Sequence, residues 1–206
     1  AYTEANGKTI TTLRPNEVAE AEPGIFCVSF PSARDGNLLD RELWNDIIRH
    51  HEVILDLAYL GMTEPIGDII DLDHPSIRTV LASFSKPFGL YYYRIGLCWS
   101  KYPIDSLYGN KWFKNAHSIK LGEHILDAID IKEFREQGKN LQRQAIQQTN
   151  KDLALKESLV QADVYLLATT NQQLEDKYEK FKRIGAYRFC LTPYFYNIFE
   201  TGGDYA

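Results

Sequence analysis

Lys86 is the residue of this chain best suited to covalent chemistry. It lies in Ser83-Phe84-Ser85-Lys86-Pro87-Phe88-Gly89-Leu90-Tyr91-Tyr92-Tyr93-Arg94-Ile95-Gly96, between a small hydroxyl residue and a turn, with Arg94 eight positions on. A lysine amine that spends part of its time neutral forms imines with carbonyl carbons, and desolvation or nearby cations favour that state. Ser83, Ser85 and Arg94 carry the hydroxyl and guanidinium donors that hold a phosphate. A lone Ser-Lys pair would mean only a solvated loop lysine. Arg94, however, heads an apolar run, where a cation without an anionic partner is costly. Asp56 raises the same question, because it follows Val53-Ile54-Leu55 and precedes Tyr59 by three residues. Taken alone, a strand-end acid beside a core tyrosine accounts for that pair equally well.

Together these residues resemble the active-site lysine signature of the class I and II aminotransferases, the fold-type I enzymes that use pyridoxal 5'-phosphate (PLP). The resemblance implies that Lys86 is the catalytic residue, holding PLP as an imine and then acting as general base and acid. It implies that Asp56 faces the pyridine nitrogen, keeping the ring an effective electron sink, and that Tyr59 bonds the ring hydroxyl. Ser83, Ser85 and Arg94 would hold the phosphate. The family's Asp, two residues and Tyr are matched by Asp56-Leu57-Ala58-Tyr59, thirty residues before Lys86. Arg188, in Ala186-Tyr187-Arg188-Phe189-Cys190-Leu191-Thr192-Pro193, sits where the family carries the arginine that clamps the substrate α-carboxylate. The implied reaction moves an amino group between an amino acid and a 2-oxo acid. The same architecture also supports elimination and decarboxylation.

Two positions depart from the family pattern. In Phe30-Pro31-Ser32-Ala33-Arg34-Asp35-Gly36-Asn37, Pro31 and Gly36 align with the family turn, but Ala33 replaces an asparagine that contacts the cofactor hydroxyl. Tyr92 stands where the lysine signature carries a small or specific residue. The family's early part, with its phosphate-loop glycine and ring-stacking aromatic, has no counterpart in these residues. A truncated chain, one chain of a split enzyme and a degenerate non-catalytic homologue serving assembly all accommodate this. The expected partner is a second copy or a companion chain supplying that segment.

The elements that must position these residues follow from periodicity. Gly24 to Phe30, Val53 to Leu57, Thr79 to Ser83 and Arg94 to Trp99 read as strands, and Asp40 to His51 as a helix with Leu43, Trp44, Ile47 and Ile48 on one face. A helix or turn passes Pro75. Near-continuous apolar strands alternating with helices predict an α/β fold, its sheet covered on both faces. Farther on, Leu121, Ile125, Ile129 and Phe134 fall at helical spacing in a long helix over 118–150 that Gly138 interrupts. A strand over 162–168, a charged helix over 171–184 and a strand over 187–191 complete a small C-terminal α/β domain. The expected architecture is a partial, three-layer PLP-transferase-like large domain with a mostly parallel sheet over 1–115, then a connecting helix and small domain over 116–206.

Composition bounds the alternatives. The chain has 206 residues and a formal net charge of −5. That acidic balance argues against a nucleic-acid surface. Three dispersed cysteines, Cys27, Cys98 and Cys190, fit reduced and mostly buried thiols better than disulfides or a zinc site. No apolar run reaches membrane-span length and no signal-peptide pattern is present, so a cytoplasmic protein is expected. No dinucleotide or P-loop glycine motif occurs. His50, His51, His117 and His124 read as solvated helix histidines rather than metal ligands. Tyr91-Tyr92-Tyr93 and Tyr194-Phe195-Tyr196 read as packing clusters at a core or interface, and the charged run from Glu133 to Lys151 as a solvated helix face.

Overall fold

The computed structural model describes residues 7, 9–105, 115–183 and 185–195. Strands β1 (Ile25–Ser29), β2 (Glu52–Leu57), β3 (Ile77–Ser83) and β4 (Gly96–Ser100) form one sheet in that order. β1, β2 and β3 run parallel, and β4 returns antiparallel to β3. The fold is α/β with a mostly parallel sheet. Helix α1 (Arg41–His50) is the crossover between β1 and β2. It begins where Asp40 Oδ1 accepts hydrogen bonds from the amides of Glu42 (2.7 Å) and Leu43 (3.3 Å), satisfying two of the amides that a helix start leaves unpaired. Trp44 and Ile47 bury its inner face against Phe30, Val53, Leu55 and Leu57.

The strands alternate more than their sequence indicated. Val53, Leu55 and Leu57 are buried, whereas Ile54 and Asp56 on the opposite face are only half-buried. Ile25 (55 % exposed) and Leu81 (37 %) share that second face, which the sequence reading had expected to be covered. β4 starts at Gly96 rather than Arg94. A Cβ at Gly96 would lie 2.7 Å from the Ala82 carbonyl oxygen, so only glycine lets the two backbones meet there. The segment around Pro75 is turn, not helix.

The predicted long helix is two: α2 (Ala116–Ala128) and α3 (Ile131–Asp152). The break falls at Ile129-Asp130, where Asp130 Oδ1 caps α3 through the amides of Lys132 (2.8 Å) and Glu133 (3.1 Å). Gly138 does not interrupt α3. It is buried, and a Cβ there would lie 2.8 Å from Tyr165 Cδ2, so the glycine serves close packing.

A second, antiparallel sheet runs β5 (Val160–Gln161), β6 (Leu167–Thr170), β8 (Ala186–Cys190) and β7 (Lys182–Arg183). The predicted strand over 162–168 is mostly a buried turn, and β6 begins only at Leu167. Long-range partners replace the ladder there. Val164 N donates to the Gly36 carbonyl (2.8 Å) and Tyr165 N to that of Met62 (2.9 Å). The helix expected over 171–184 is a short 3-10 turn, Asp176–Phe181, followed by β7. Gly185, at φ 84°, closes the β7–β8 hairpin and draws this end of the chain into the sheet. Residue 184 lies outside the described residues.

Two apolar cores result. Phe30, Trp44 and the inner residues of β2 form one, while α3 and the second sheet form the other. Tyr59 and Met62 follow β2 in the chain yet belong to the second core. Cys27, Cys98 and Cys190 are exposed and unbridged, against the expectation of burial. His51 is also not solvated: it is 6 % exposed, with Nε2 3.1 Å from the Val18 carbonyl oxygen. Tyr92 is 92 % exposed, so the Tyr91-Tyr92-Tyr93 run does not pack into a core. Phe195 is buried, and Tyr196 lies outside the described residues. No described helix is long and apolar enough to cross a membrane.

Gln142 is the buried polar group that holds the 162–167 turn. Its Nε2 faces the carbonyl oxygens of Ala162 (2.8 Å), Leu167 (2.9 Å) and Val164 (3.2 Å). Gln142→Leu keeps the volume but strands buried carbonyls, so we expect a stability loss of about 1–3 kcal/mol in urea titration. An unchanged midpoint would show that this turn holds itself.

Candidate active site

Parallel pairing brings the predicted site residues to one edge of the first sheet. Ser29 ends β1, Asp56 lies next to the end of β2 and Ser83 ends β3, so their strands point the same way and stop together. Arg94, two residues before β4, joins them because Gly96 pairs with Ser83 and the Ile95 carbonyl accepts a hydrogen bond from Phe84 N (3.2 Å). In open α/β sheets, ligands bind outside the carboxyl ends of the strands.

Asp56 is half-buried and in register with Ser29. Ser29 Oγ donates to its Oδ2 (3.1 Å), and the Ala58 amide donates to its Oδ1 (2.9 Å). Each carboxylate oxygen thus accepts one hydrogen bond from a neighbouring element. Three residues on, Tyr59 is 8 % exposed and presents its ring to Lys86, whose Nζ stands 3.8 Å from the ring centroid. That is close cation–π range. Lys86 itself is exposed, on the turn that Phe88 N closes onto the Phe84 carbonyl (3.2 Å). Within the same turn, Ser85 N donates to Ser83 Oγ (3.1 Å). Arg94 is exposed and adopts φ 51°, a left-handed conformation uncommon outside glycine.

Arg188 approaches from the second sheet. It lies on β8 opposite Thr169, half-buried, and its guanidinium donates to the Ala33 carbonyl oxygen in the loop after β1. Its Nε is buried without a hydrogen-bond partner among the described residues. Arg188 thus contacts Ala33, the position that the resemblance sets against the family asparagine.

Beside Lys86 lies a cavity of about 760 Å³. Tyr59, Met62, Phe88, Phe134, Leu141 and Leu167 contribute to its walls, together with Gly138 and Cys190. Asp56, Ser83, Ser85, Arg94 and Arg188 do not line it. A polar brace keeps α3 against the segment after Tyr59. Tyr165 Oη donates to Glu64 Oε1 (3.1 Å), and Lys139 pairs with both Glu64 and Glu136. Burial first, then the Glu64 charge, pushes the Tyr165 phenol up to about 12, so it stays a donor at neutral pH.

The model of the aminotransferase class I and II family matches residues 5–182. The chain belongs to this family. Among solved structures, an Escherichia coli protein with methionine aminotransferase function superposes with a TM-score of 0.63 at 14 % identity, over 87 % of this chain and 58 % of that one. Thermotoga maritima aspartate aminotransferase gives 0.58 at 14 %, over 99 % and 60 %. Porphyromonas gingivalis L-threonine-O-3-phosphate decarboxylase gives 0.51 at 17 %, over 87 % and 64 %. At these identities the likeness is one of fold. This aminotransferase-family chain spans about three-fifths of the length of those structures. No curated protein sequence matches it significantly.

Ser29 and the Ala33 carbonyl escaped the sequence reading. The signal for Ser29 was present, since parallel pairing of β1 and β2 places it beside Asp56. Nothing in the sequence indicated the carbonyl contact. Gly96 is the residue whose replacement tests this edge. Gly96→Ala drives a methyl into a backbone oxygen that cannot rotate away, so we expect a loss of about 1–3 kcal/mol by chemical denaturation. Wild-type stability in that variant would refute the close approach of β3 and β4.

Proposed function

We propose that this chain carries the cofactor site of a PLP-dependent aminotransferase, transferring an amino group from an amino acid to a 2-oxo acid. The observation that carries the reading is the convergence of Ser29, Asp56, Ser83, Lys86 and Arg94 on one sheet edge, with family membership behind it.

The residues fit the group. Lys86 would hold it through Nζ, Asp56 would face the ring nitrogen, and Tyr59 would meet the ring hydroxyl. Ser83, Ser85 and Arg94 would hold its phosphate. When bound, PLP supplies an electron sink for charge developing at the substrate α-carbon. The chain's own residues do the rest. Asp56, positioned by the Ser29 hydroxyl and the Ala58 amide, would accept a hydrogen bond from the ring nitrogen. Lys86 Nζ takes the proton from the α-carbon and returns it, as general base and then acid. Arg188 binds the α-carboxylate with its fork, exchanging the Ala33 carbonyl for a charged partner. Ala33 offers no side-chain donor, so the hydroxyl falls to Tyr59. Amino transfer balances without an external oxidant, since the donor leaves as a 2-oxo acid and the acceptor leaves as an amino acid.

A second subunit, whether another copy or a companion chain, completes this reading. The apolar exposure of Ile25, Leu97 and Trp99 on the first sheet supports it. The rival reading is a non-catalytic homologue serving assembly. The engagement of Arg188 by the Ala33 carbonyl is what favours it.

Incubation with PLP followed by borohydride reduction and peptide mass mapping separates the two. We expect the mass increment on Lys86, and none in Lys86→Ala. Arg94→Ala should weaken PLP binding about tenfold or more, the usual loss for a charge-assisted contact. Absence of uptake, or label spread evenly over other lysines, rejects the cofactor site.

A further inference from the structure

The apolar cavity beside Lys86 bears on what the site would act upon. Its walls come from the turn carrying Lys86, the inner face of α3 and the end of β8. Among the described residues Lys86 is the one charged residue in those walls, and Gln137 and Thr192 supply the other side chains with strong hydrogen-bonding groups apart from Tyr59 and Tyr91. Phe88, Phe134, Leu141, Leu166, Met62 and Phe195 supply most of the rest.

Arg188 and this cavity share one face of β8. Tyr187 and Phe189 turn into the second core, so Arg188 and Cys190 turn the other way, and Cys190 lines the cavity. The Arg188 backbone thus stands two residues, about 7 Å, along the strand from that of Cys190 in the cavity wall. Lys86 is also part of the cavity wall. A substrate with its carboxylate on Arg188 and its amino carbon at Lys86 would be held by one residue of the cavity wall and one that flanks it.

We propose that the cavity receives the side chain of a bulky, uncharged apolar amino acid or 2-oxo acid, and so defines the substrate class. The proposal rests on the reading of Lys86 as the reacting amine and Arg188 as the carboxylate holder. A carboxylate side chain would be desolvated against aromatic and aliphatic walls, with no cation other than the amine that the reaction itself uses. A small side chain would reach few of these apolar walls and forgo the dispersion contacts. Aromatic and long aliphatic side chains satisfy both conditions. Gly138 matters here too. Tyr165 already occupies the position of any side chain it might carry, so α3 approaches without closing the space.

The test reads Lys86 directly and needs no catalysis. With no cofactor added, the chain is reductively methylated and the rate at Lys86 is followed by peptide mass mapping. At about ten times its dissociation constant, 3-phenylpropionate should slow that rate about tenfold. Succinate at the same concentration should leave the rate unchanged. Equal or greater protection by succinate overturns the proposal, and so does a lack of protection by 3-phenylpropionate. Leu141→Trp fills the cavity and should abolish protection. Gln137→Trp, on the exposed wall, replaces it as the test if Leu141→Trp does not fold. Full protection in a folded variant with the cavity filled overturns the assignment. The two readings fail separately. PLP uptake at Lys86 without protection by 3-phenylpropionate rejects the cavity alone, while protection without PLP uptake rejects the cofactor site alone.

Discussion

The parallel register of β1, β2 and β3 is the constraint on which the rest of the site depends. A side chain at the end of one strand gains meaning only from what ends beside it. Here Ser29, Asp56 and Ser83 stop on one edge because their strands run the same way. α1 makes that direction possible, since parallel strands need a crossover, and its Trp44 and Ile47 pin it to the sheet. β4 then returns against β3 and adds Arg94 at the same edge, through a contact that Gly96 alone permits. Lys86 needs no special device, because it sits on the turn between those two strands.

The second core supplies what one sheet edge cannot. Tyr59 and Met62 leave β2 and pack with α3 and the second sheet, tying the acid-bearing strand to the other half of the chain. Backbone bonds from Val164 to Gly36 and from Tyr165 to Met62 fix the halves in register. That registration carries Arg188 to the loop after β1. Its cost is a buried turn whose polar groups need partners, which Gln142 provides. The exposed Glu64–Lys139 pair adds orientation more than stability, because solvent screens it.

Legibility from the sequence followed the physics of each element. Buried parallel strands are short apolar runs, and β1, β2 and β3 were visible within a residue or two. Asp56 and Arg94 stood out because a charge inside an apolar pattern is costly without a partner, and their spacing from Tyr59 and Lys86 resembled the aminotransferase signature. The second half was less so. Its apolar run over 162–168 is buried but not a strand, since its backbone partners lie on distant residues that no local pattern reveals. Gly138 looked like a breaker because its packing partner, Tyr165, is remote in sequence. The cavity was invisible for the same reason, as its walls come from five separated segments.

The central claim is that one sheet edge of this chain holds PLP through Lys86, with its phosphate on Ser83, Ser85 and Arg94. A crystal structure of the chain soaked with PLP, with the phosphorus located in the density, tests it most directly. The account predicts density continuous with Lys86 Nζ, the phosphate within hydrogen-bond reach of those three residues, and the ring nitrogen facing Asp56. A phosphate bound elsewhere on the chain, or a ring that turns its nitrogen away from Asp56, would contradict it.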